Sequence, residues 1–190
     1  EGEWGKPTDP AAVEAAFNEK AFKVIAIVHA ETSTGVLQPM DDIARIAREQ
    51  GAMILLDTVT SLGGVEVKVD EWGVDAAYSC SQKCIGCPPG MSPVTFSERA
   101  FQMLEKRDNP VRTWYLDIQL LEKYWSDSRV YHHTSSSTMN YGLLEALTLI
   151  HEEGLENRFA RHLKNHQALI AGVEGMGLSA FVDEAHRLPM

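Results

Sequence analysis

The first hundred residues alternate between helical and strand-like apolar patterns. Residues 10–20 have apolar side chains at helical spacing, which predicts a surface helix, whereas residues 22–29 form a β-branched apolar run typical of a buried parallel strand. Pro39 opens a second helical pattern, and Gly51 follows it as a stop signal before a second buried strand over residues 52–57. Strand, helix and strand in this order predict a parallel crossover unit, and with it an α/β fold.

The rest of the chain is predicted to complete the sheet and then to become helical. A third strand is expected at residues 75–79, and another at 94–96 follows a Pro-Pro-Gly turn. Gly154 breaks the helical pattern, so we expect residues 1–153 to belong to one domain and residues 154–190 to begin another. The remaining predicted elements are helices over residues 97–105, 116–124, 141–153 and 155–175, and a strand over residues 178–182.

Polar residues collect where the predicted strands end. Thr32 lies just after the first strand, Asp57 ends the second, and Lys83 follows the third. In open α/β sheets, ligands bind beyond the carboxyl ends of the strands, so these three side chains are expected to converge on one pocket.

Composition argues against two classes of partner. The 190 residues include 27 Asp or Glu and 17 Lys or Arg, a formal net charge of −10, which argues against nucleic acid. No apolar stretch approaches the roughly 18–20 residues of a membrane span, so a soluble intracellular protein is expected.

The chain begins at Glu1 rather than Met, and we expect a fragment that is cut at both ends.

Lys83 has the chemistry of a lysine that binds an aldehyde cofactor. Only the neutral amine is nucleophilic, so such a site must favour loss of the proton. Lys83 follows a buried strand among small and apolar neighbours, and we expect burial there to lower its pKa. A lone lysine is far more often a solvated surface charge, so its surroundings must decide.

Asp57 is a matching candidate, 26 positions before Lys83. A carboxylate at the end of the neighbouring strand would keep a pyridine nitrogen protonated and so make the ring an electron sink. Taken alone, Asp57 is as well explained as a helix N-cap or a turn residue after a strand. Its pairing with Lys83 favours the cofactor site.

Three cysteines, Cys80, Cys84 and Cys87, lie within eight positions. They fit a reducing compartment rather than a disulfide framework. A structural zinc site needs four ligands and no fourth is evident nearby, so no metal site is predicted. Cys84 and Cys87 also have the spacing of a redox motif. Such motifs usually lie at the start of a helix, which the two prolines that follow disfavour, so small core cysteines are the favoured interpretation.

Several sequence blocks resemble the alanine–glyoxylate and serine–glyoxylate (serine–pyruvate) aminotransferases, class V enzymes that use pyridoxal 5'-phosphate (PLP). The blocks occur in the expected order, and the resemblance covers essentially the whole chain. They are HAETSTGVLQP at 29–39, DTVTSLGG at 57–64, YSCSQKCIGCPPG at 78–90, WYLD at 114–117, YHHT at 131–134 and GLEN at 154–157.

The resemblance implies a fold-type I PLP enzyme with a mostly parallel seven-stranded sheet. Residues 1–153 would be the C-terminal part of its large domain, and residues 154–190 the start of its small domain. The family is homodimeric and builds each site across the dimer. Its glycine-rich phosphate turn and ring-stacking aromatic would precede Glu1, and the arginine that grips the substrate carboxylate would follow Met190.

The resemblance also assigns roles to individual residues. Lys83 would form the Schiff base and shuttle the proton, and Asp57 would pair with the pyridinium nitrogen. Thr32 would hydrogen-bond the cofactor, Val59 would pack on the ring face, and Gln82 would bind the phosphate.

Tyr131 and Thr134 would reach the phosphate of the neighbouring subunit. An aromatic core contact and a helix cap explain these two residues about as well without the family. His132 and His133 receive no role.

The implied reaction is transamination between alanine or serine and a 2-oxo acid, glyoxylate or pyruvate, in the cytoplasm or, in a eukaryote, the peroxisome. Within class V, an enzyme for 2-aminoethylphosphonate or phosphoserine is an alternative. A cysteine desulfurase is a weaker one, because its cysteine lies far downstream of the lysine. A truncated, inactive chain that only dimerises is an alternative of another class.

Overall fold

The computed structural model describes residues 2–190, which form an α/β fold. The strands are β1 (Val24–Val28), β2 (Ala30–Glu31), β3 (Val36–Leu37), β4 (Met53–Asp57), β5 (Ala76–Tyr78) and β6 (Val94–Phe96). The α-helices are α1 (Pro10–Glu19), α2 (Asp41–Glu49), α3 (Val69–Trp72), α4 (Glu98–Glu105), α5 (Ile118–Trp125), α6 (Ser137–Glu153) and α7 (Leu155–Gly175).

Most predicted elements are confirmed. The helix predicted over residues 155–175 coincides with α7, and the strands predicted at 22–29, 52–57 and 75–79 each contain an observed strand. The β2–β3 hairpin and the helix α3 were not predicted, because elements of two to four residues are too short to show a periodicity.

The main sheet has the strand order β1-β4-β5-β6. Strand β4 pairs in parallel with both β1 and β5, whereas β6 pairs antiparallel with β5. Helix α2 lies between β1 and β4 along the chain, so the predicted parallel crossover is confirmed.

One face of this sheet forms the hydrophobic core. Ile54 and Leu56 of β4 are fully buried and pack with side chains of α1, α2 and α3. On the opposite face, Val24 is 53% exposed and Leu55 is 36% exposed. The prediction that β1 and β4 are buried strands therefore holds for one face only, because residues 2–190 leave the other face open to solvent.

Local capping explains where several helices begin and end. Helix α1 starts at Pro10, and the Asp9 side chain accepts a backbone N–H of the first turn at 2.9 Å. Ser97 and Asp117 cap α4 and α5 in the same way. Gly51 follows α2 with φ of 69°, a left-handed conformation that favours glycine, and acts as the expected stop signal.

After α7 the chain returns to the β2–β3 hairpin. The Leu188 N–H donates to the Gly35 carbonyl at 2.8 Å, and the backbone of Arg187 forms an isolated antiparallel β-bridge with Val36. The strand predicted over residues 178–182 is not formed, because within residues 2–190 no neighbouring strand pairs with this segment. An apolar run without a partner strand stays irregular.

Helices α6 and α7 meet at Gly154, the predicted domain boundary. The division into two domains at this residue stays a prediction. None of the helices formed by residues 2–190 is both long enough and apolar enough to cross a membrane.

Candidate active site

The carboxyl ends of β1, β4 and β5 lie side by side. Val28 pairs with Asp57, and Asp57 pairs with Tyr78, so the three strands end at the same level. Backbone hydrogen bonds extend the alignment by one residue, from His29 N–H to the Asp57 carbonyl (3.0 Å) and from Thr58 N–H to the Tyr78 carbonyl (2.9 Å). The loops that follow the strands therefore leave the sheet together, at the edge where α/β proteins bind ligands.

Asp57 is held as a half-buried acceptor. Its Oδ1 accepts the backbone N–H of Val59 at 2.8 Å, and its Oδ2 accepts the hydroxyl of Tyr78 at 2.6 Å. Each carboxylate oxygen can accept about two hydrogen bonds, so both retain capacity for one more donor. The carboxylate is thus fixed in orientation and still able to accept a hydrogen bond from a ring nitrogen.

Tyr78 is a further candidate site residue, which the sequence pattern alone did not single out. Its hydrogen bond to Asp57 raises its pKa, with burial as a smaller contribution, so the hydroxyl stays a donor at neutral pH. A signal was available, because Tyr78 ends the third strand as Asp57 ends the second. Parallel strands in register place such residues beside each other.

Lys83 lies in a hydrogen-bonded turn after β5, and its side chain is exposed. Its carbonyl accepts the Gly86 N–H at 2.9 Å, and the Ser81 carbonyl accepts the Cys87 N–H at 2.8 Å. The buried Ser81 hydroxyl donates to the Pro88 carbonyl at 2.7 Å. The expected firm backbone is confirmed, but the expected burial of Lys83 is wrong, because no segment within residues 2–190 covers its side chain.

The loop after β4 packs directly on the turn after β5. A Cβ added to Gly63 would lie 3.5 Å from the Cys84 carbonyl oxygen, and one added to Gly64 would lie 2.7 Å from the Cys84 Sγ. A side chain at position 64 would therefore have to displace the side chains of Cys84 and Met190. The structure thus brings together the two loops that contain Asp57 and Lys83.

The other predicted cofactor contacts lie around the same edge. Val59 is half-buried and holds Asp57 through its backbone N–H. Gln82 is exposed beside Lys83, and Thr32 is exposed in the turn between β2 and β3, which follows β1. These residues form an open edge rather than an enclosed pocket, and their contacts with a cofactor stay predictions.

Tyr131 and Thr134 lie in the segment before α6, where they are exposed and share a hydrogen bond of 2.8 Å. The cap of α6 is Ser136 and Tyr131 faces solvent, so the two alternatives, a helix cap and a core contact, are wrong. The segment is anchored by His132, which is 3% exposed and stacks on Trp114 with ring centroids 3.9 Å apart. The predicted role of Tyr131 and Thr134 toward a neighbouring subunit stays a prediction.

The three cysteines are free thiols. Cys80 and Cys87 are buried, which confirms the core interpretation for these two. Cys84 is half-buried, and burial raises the pKa of its thiol, which disfavours the reactive thiolate. Within residues 2–190, no group of three or more His, Cys, Asp or Glu side chains is arranged to hold a metal ion.

Residues 3–189 match the family model described as aminotransferase class-V. The chain therefore belongs to the class V aminotransferase family, as its sequence blocks indicated. Members of this family are generally PLP-dependent.

Individual relatives agree with this assignment. The (S)-ureidoglycine–glyoxylate transaminase of Bacillus subtilis is 39% identical over 208 aligned residues, covering 100% of this chain and 50% of the relative. The alanine–glyoxylate aminotransferase of Drosophila melanogaster is 39% identical over 194 residues, covering 100% of this chain and 49% of the relative. The crystal structure of alanine–glyoxylate aminotransferase from Nostoc sp. has a TM-score of 0.96 at 48% identity, covering 99% of this chain and 50% of that one.

These comparisons establish the fold. The chain has the fold of the fold-type I PLP-dependent aminotransferases, with a mostly parallel sheet, as the sequence predicted. It spans about half the length of the curated relatives that it matches.

Proposed function

We propose that this chain is the part of a PLP-dependent aminotransferase that contains the cofactor lysine, Lys83, and the carboxylate for the pyridine nitrogen, Asp57. The observation that supports this most strongly is the shared edge of β4 and β5, where the two loops pack on each other. The reaction would exchange an amino group between alanine or serine and glyoxylate or pyruvate.

Lys83 would supply the amine. Its side chain projects from a turn whose backbone is fixed by hydrogen bonds, so the anchor is firm while the flexible stem can move. The Lys83 amine would be the group that holds the cofactor at its aldehyde carbon, and as a free amine it would take the proton from the substrate α-carbon.

Asp57 would hold the pyridine end. When bound, PLP supplies a ring that takes up the electron pair left at the substrate α-carbon. The carboxylate keeps the ring nitrogen protonated through its remaining acceptor capacity, while Tyr78 and Val59 fix its orientation. The donor set at this edge therefore fits the cofactor.

The remaining contacts follow from the resemblance and the observed positions. Thr32 and Gln82 are exposed on the loops that flank Asp57 and Lys83, where they can donate to the cofactor oxygens. Val59 would pack against the ring. Tyr131 and Thr134 are also exposed, which supports their use by a second subunit in a homodimer. We propose a cytoplasmic location for the whole protein, or a peroxisomal one if the protein is eukaryotic.

All three relatives are named as glyoxylate aminotransferases, which supports glyoxylate as the acceptor. The donors in those names differ, so the donor has to be measured. Screening alanine, serine, ureidoglycine, phosphoserine, 2-aminoethylphosphonate and cysteine would separate the proposed activity from its class V alternatives, and sulfide release would identify a desulfurase.

The direct test is an absorbance scan of the purified chain with PLP, followed by borohydride reduction and peptide mass mapping. We expect a visible absorption band and a reduced adduct on the peptide that contains Lys83. The adduct should be lost in Lys83→Ala and retained in Lys164→Ala, a matched change of an exposed lysine on α7.

If no adduct forms, the experiment is repeated on a chain extended at both ends. Failure there would overturn the PLP proposal and favour a module that only dimerises. We further expect little turnover from the 190-residue chain, because the groups that orient the substrate lie outside it in the family's pattern. A normal turnover number would contradict this.

A further inference from the structure

Arg158 connects the two loops of the candidate active site. From α7, its Nε–H donates to the Gly63 carbonyl at 2.9 Å, and its Nη2 donates to the Cys84 carbonyl at 2.5 Å. Gly63 belongs to the loop that starts at Asp57, and Cys84 directly follows Lys83. One guanidinium therefore binds the backbone on both sides of the interface between the loops.

The position of Arg158 in α7 is unfavourable unless it serves such a contact. It lies in the first turn, where the positive end of the helix dipole disfavours a cation. Glu153 offsets this, because its Oε2 accepts the Arg158 Nη1 at 2.9 Å. The side chain of Arg158 is only 12% exposed, so its donors are committed to these three acceptors rather than to water.

Arg161 provides a comparison on the same helix. It also binds Glu153, through Nε and Nη2, but its side chain is 47% exposed and its hydrogen bonds go to that carboxylate. Both arginines lie on α7 and bind Glu153. Arg158 also forms hydrogen bonds with the two loops of the candidate active site, which Arg161 does not.

We propose that Arg158 is a positioning residue that sets the distance between the Asp57 loop and the Lys83 turn. This inference rests on the proposed function of those two residues. A planar guanidinium with donors in a fixed fork holds two carbonyl oxygens at a defined separation, which a single flexible ammonium does not. Glu153 orients the fork, and the lysine and the carboxylate then face the same cofactor at the required spacing.

The first test needs no cofactor. Amide hydrogen exchange would be followed by NMR in the unsubstituted chain and in Arg158→Gln, Arg158→Lys and Arg161→Gln. The Gly86 amide, which donates to the Lys83 carbonyl, and the Val65 amide, which donates to Ser61, report on the two loops. The Ile54 amide, bound to Asp75 in the core, serves as the internal reference.

We expect both loop amides to exchange about tenfold faster in Arg158→Gln, because a hydrogen bond from a charged donor is lost at each loop. Arg158→Lys should be intermediate, and Arg161→Gln should leave both amides unchanged. A general loss of stability would accelerate the Ile54 amide equally. Unchanged loop amides in Arg158→Gln, or an equal acceleration of Ile54, would overturn the proposal.

The second test links the loops to the cofactor chemistry. Borohydride trapping at increasing PLP concentrations gives the apparent affinity for adduct formation on Lys83. We expect it to weaken about tenfold in Arg158→Gln, to recover in part in Arg158→Lys, and to stay unchanged in Arg161→Gln. Unweakened affinity in Arg158→Gln would overturn the positioning role even if the loop amides exchange faster.

The two tests separate this inference from the proposed function. If neither the unsubstituted chain nor its extended version forms an adduct, the proposed function fails, and the positioning role for the cofactor fails with it. The hydrogen-exchange data would still decide whether Arg158 holds the two loops together. If the adduct forms normally in every arginine variant, the function stands and the role of Arg158 is wrong.

Discussion

The sheet region, residues 10–105, and the helical region, residues 118–175, differ in how far they bury their apolar side chains. In the sheet region, Ala44, Ile54 and Leu56 are fully buried within one cluster. In the helical region, α5 and α7 contain no buried residue, and Leu163 is 44% exposed. A tight core therefore stabilises the sheet region from within, whereas the helices present apolar side chains to solvent.

The two regions meet at the candidate active site. Ile85 and Cys87, from the turn after Lys83, pack with Ala146 and Ile150 of α6. The polar contacts of Arg158 lie at the same junction. Substitutions in the core of the sheet region should therefore lower stability strongly, and surface substitutions in the helices should have little effect. Substitutions at the junction should have an intermediate effect.

The largest effect is expected for truncation in the sheet core. Leu56→Ala should lower the free energy of unfolding by about 3–4 kcal/mol, because it removes a fully buried side chain and leaves a cavity. Leu163→Ala, the matched change on α7, should cost about 0.5 kcal/mol or less. Urea unfolding followed by circular dichroism measures both, and equal losses would show that the helices pack as tightly as the sheet.

The next effect concerns a buried carboxylate that joins β5 to its neighbours. Asp75 is nearly inaccessible and accepts hydrogen bonds from Arg99, Ser97 and the Ile54 N–H. Burial alone would raise its pKa, but these donors together hold it below the ordinary value. Asp75→Asn should cost about 2–3 kcal/mol of unfolding free energy, and Glu145→Gln on the exposed face of α6 should cost almost nothing. A negligible cost for Asp75→Asn would contradict this.

Acidification should also act through the sheet region. His29 is buried, and burial lowers its pKa from 6.5 to about 4. The unfolded chain therefore binds a proton first as the pH falls through 6.5, so stability decreases until about pH 4, where the folded form is protonated too. Between about pH 7 and about pH 4.5 the loss from this residue should be about 2 kcal/mol.

The control for this pH effect is His29→Gln, which removes the titrating group. Its unfolding free energy should depend less on pH over the same interval, as measured by urea unfolding at several pH values. Asp75 contributes with the same sign, but only below the ordinary aspartate pKa, because its folded pKa is depressed. An unchanged pH profile in His29→Gln would show that other groups cause the loss.

The smallest effect contrasts one glycine from each region. Gly63 has φ of 85°, so Gly63→Ala should cost about 1–2 kcal/mol through backbone strain. Gly172 lies within α7 and has open space around it, so Gly172→Ala should gain about 0.5–1 kcal/mol. Thermal unfolding of the pair should give shifts of opposite sign, and shifts of the same sign would contradict the interpretation.

Much of the fold could be predicted because its main elements have local signals. The apolar runs before His29 and Asp57, the helical spacing of α7 and the proline at the start of α1 all follow rules of short range. Where an element depends on a distant partner, prediction failed. Residues 178–182 look like a strand but find no strand to pair with among residues 2–190.

The candidate site also has features that follow from local sequence and features that depend on distant contacts. The sequence by itself determined the residue types and their order, Asp57 at one strand end and Lys83 after the next, because these depend on local pattern and family motifs. Only the tertiary structure decided that Tyr78 holds Asp57, that Lys83 is exposed, and that Arg158 bridges the two loops. Hydrogen bonds between residues 20 to 95 positions apart leave no periodicity in a sequence, since they depend on how the folded chain brings distant segments together.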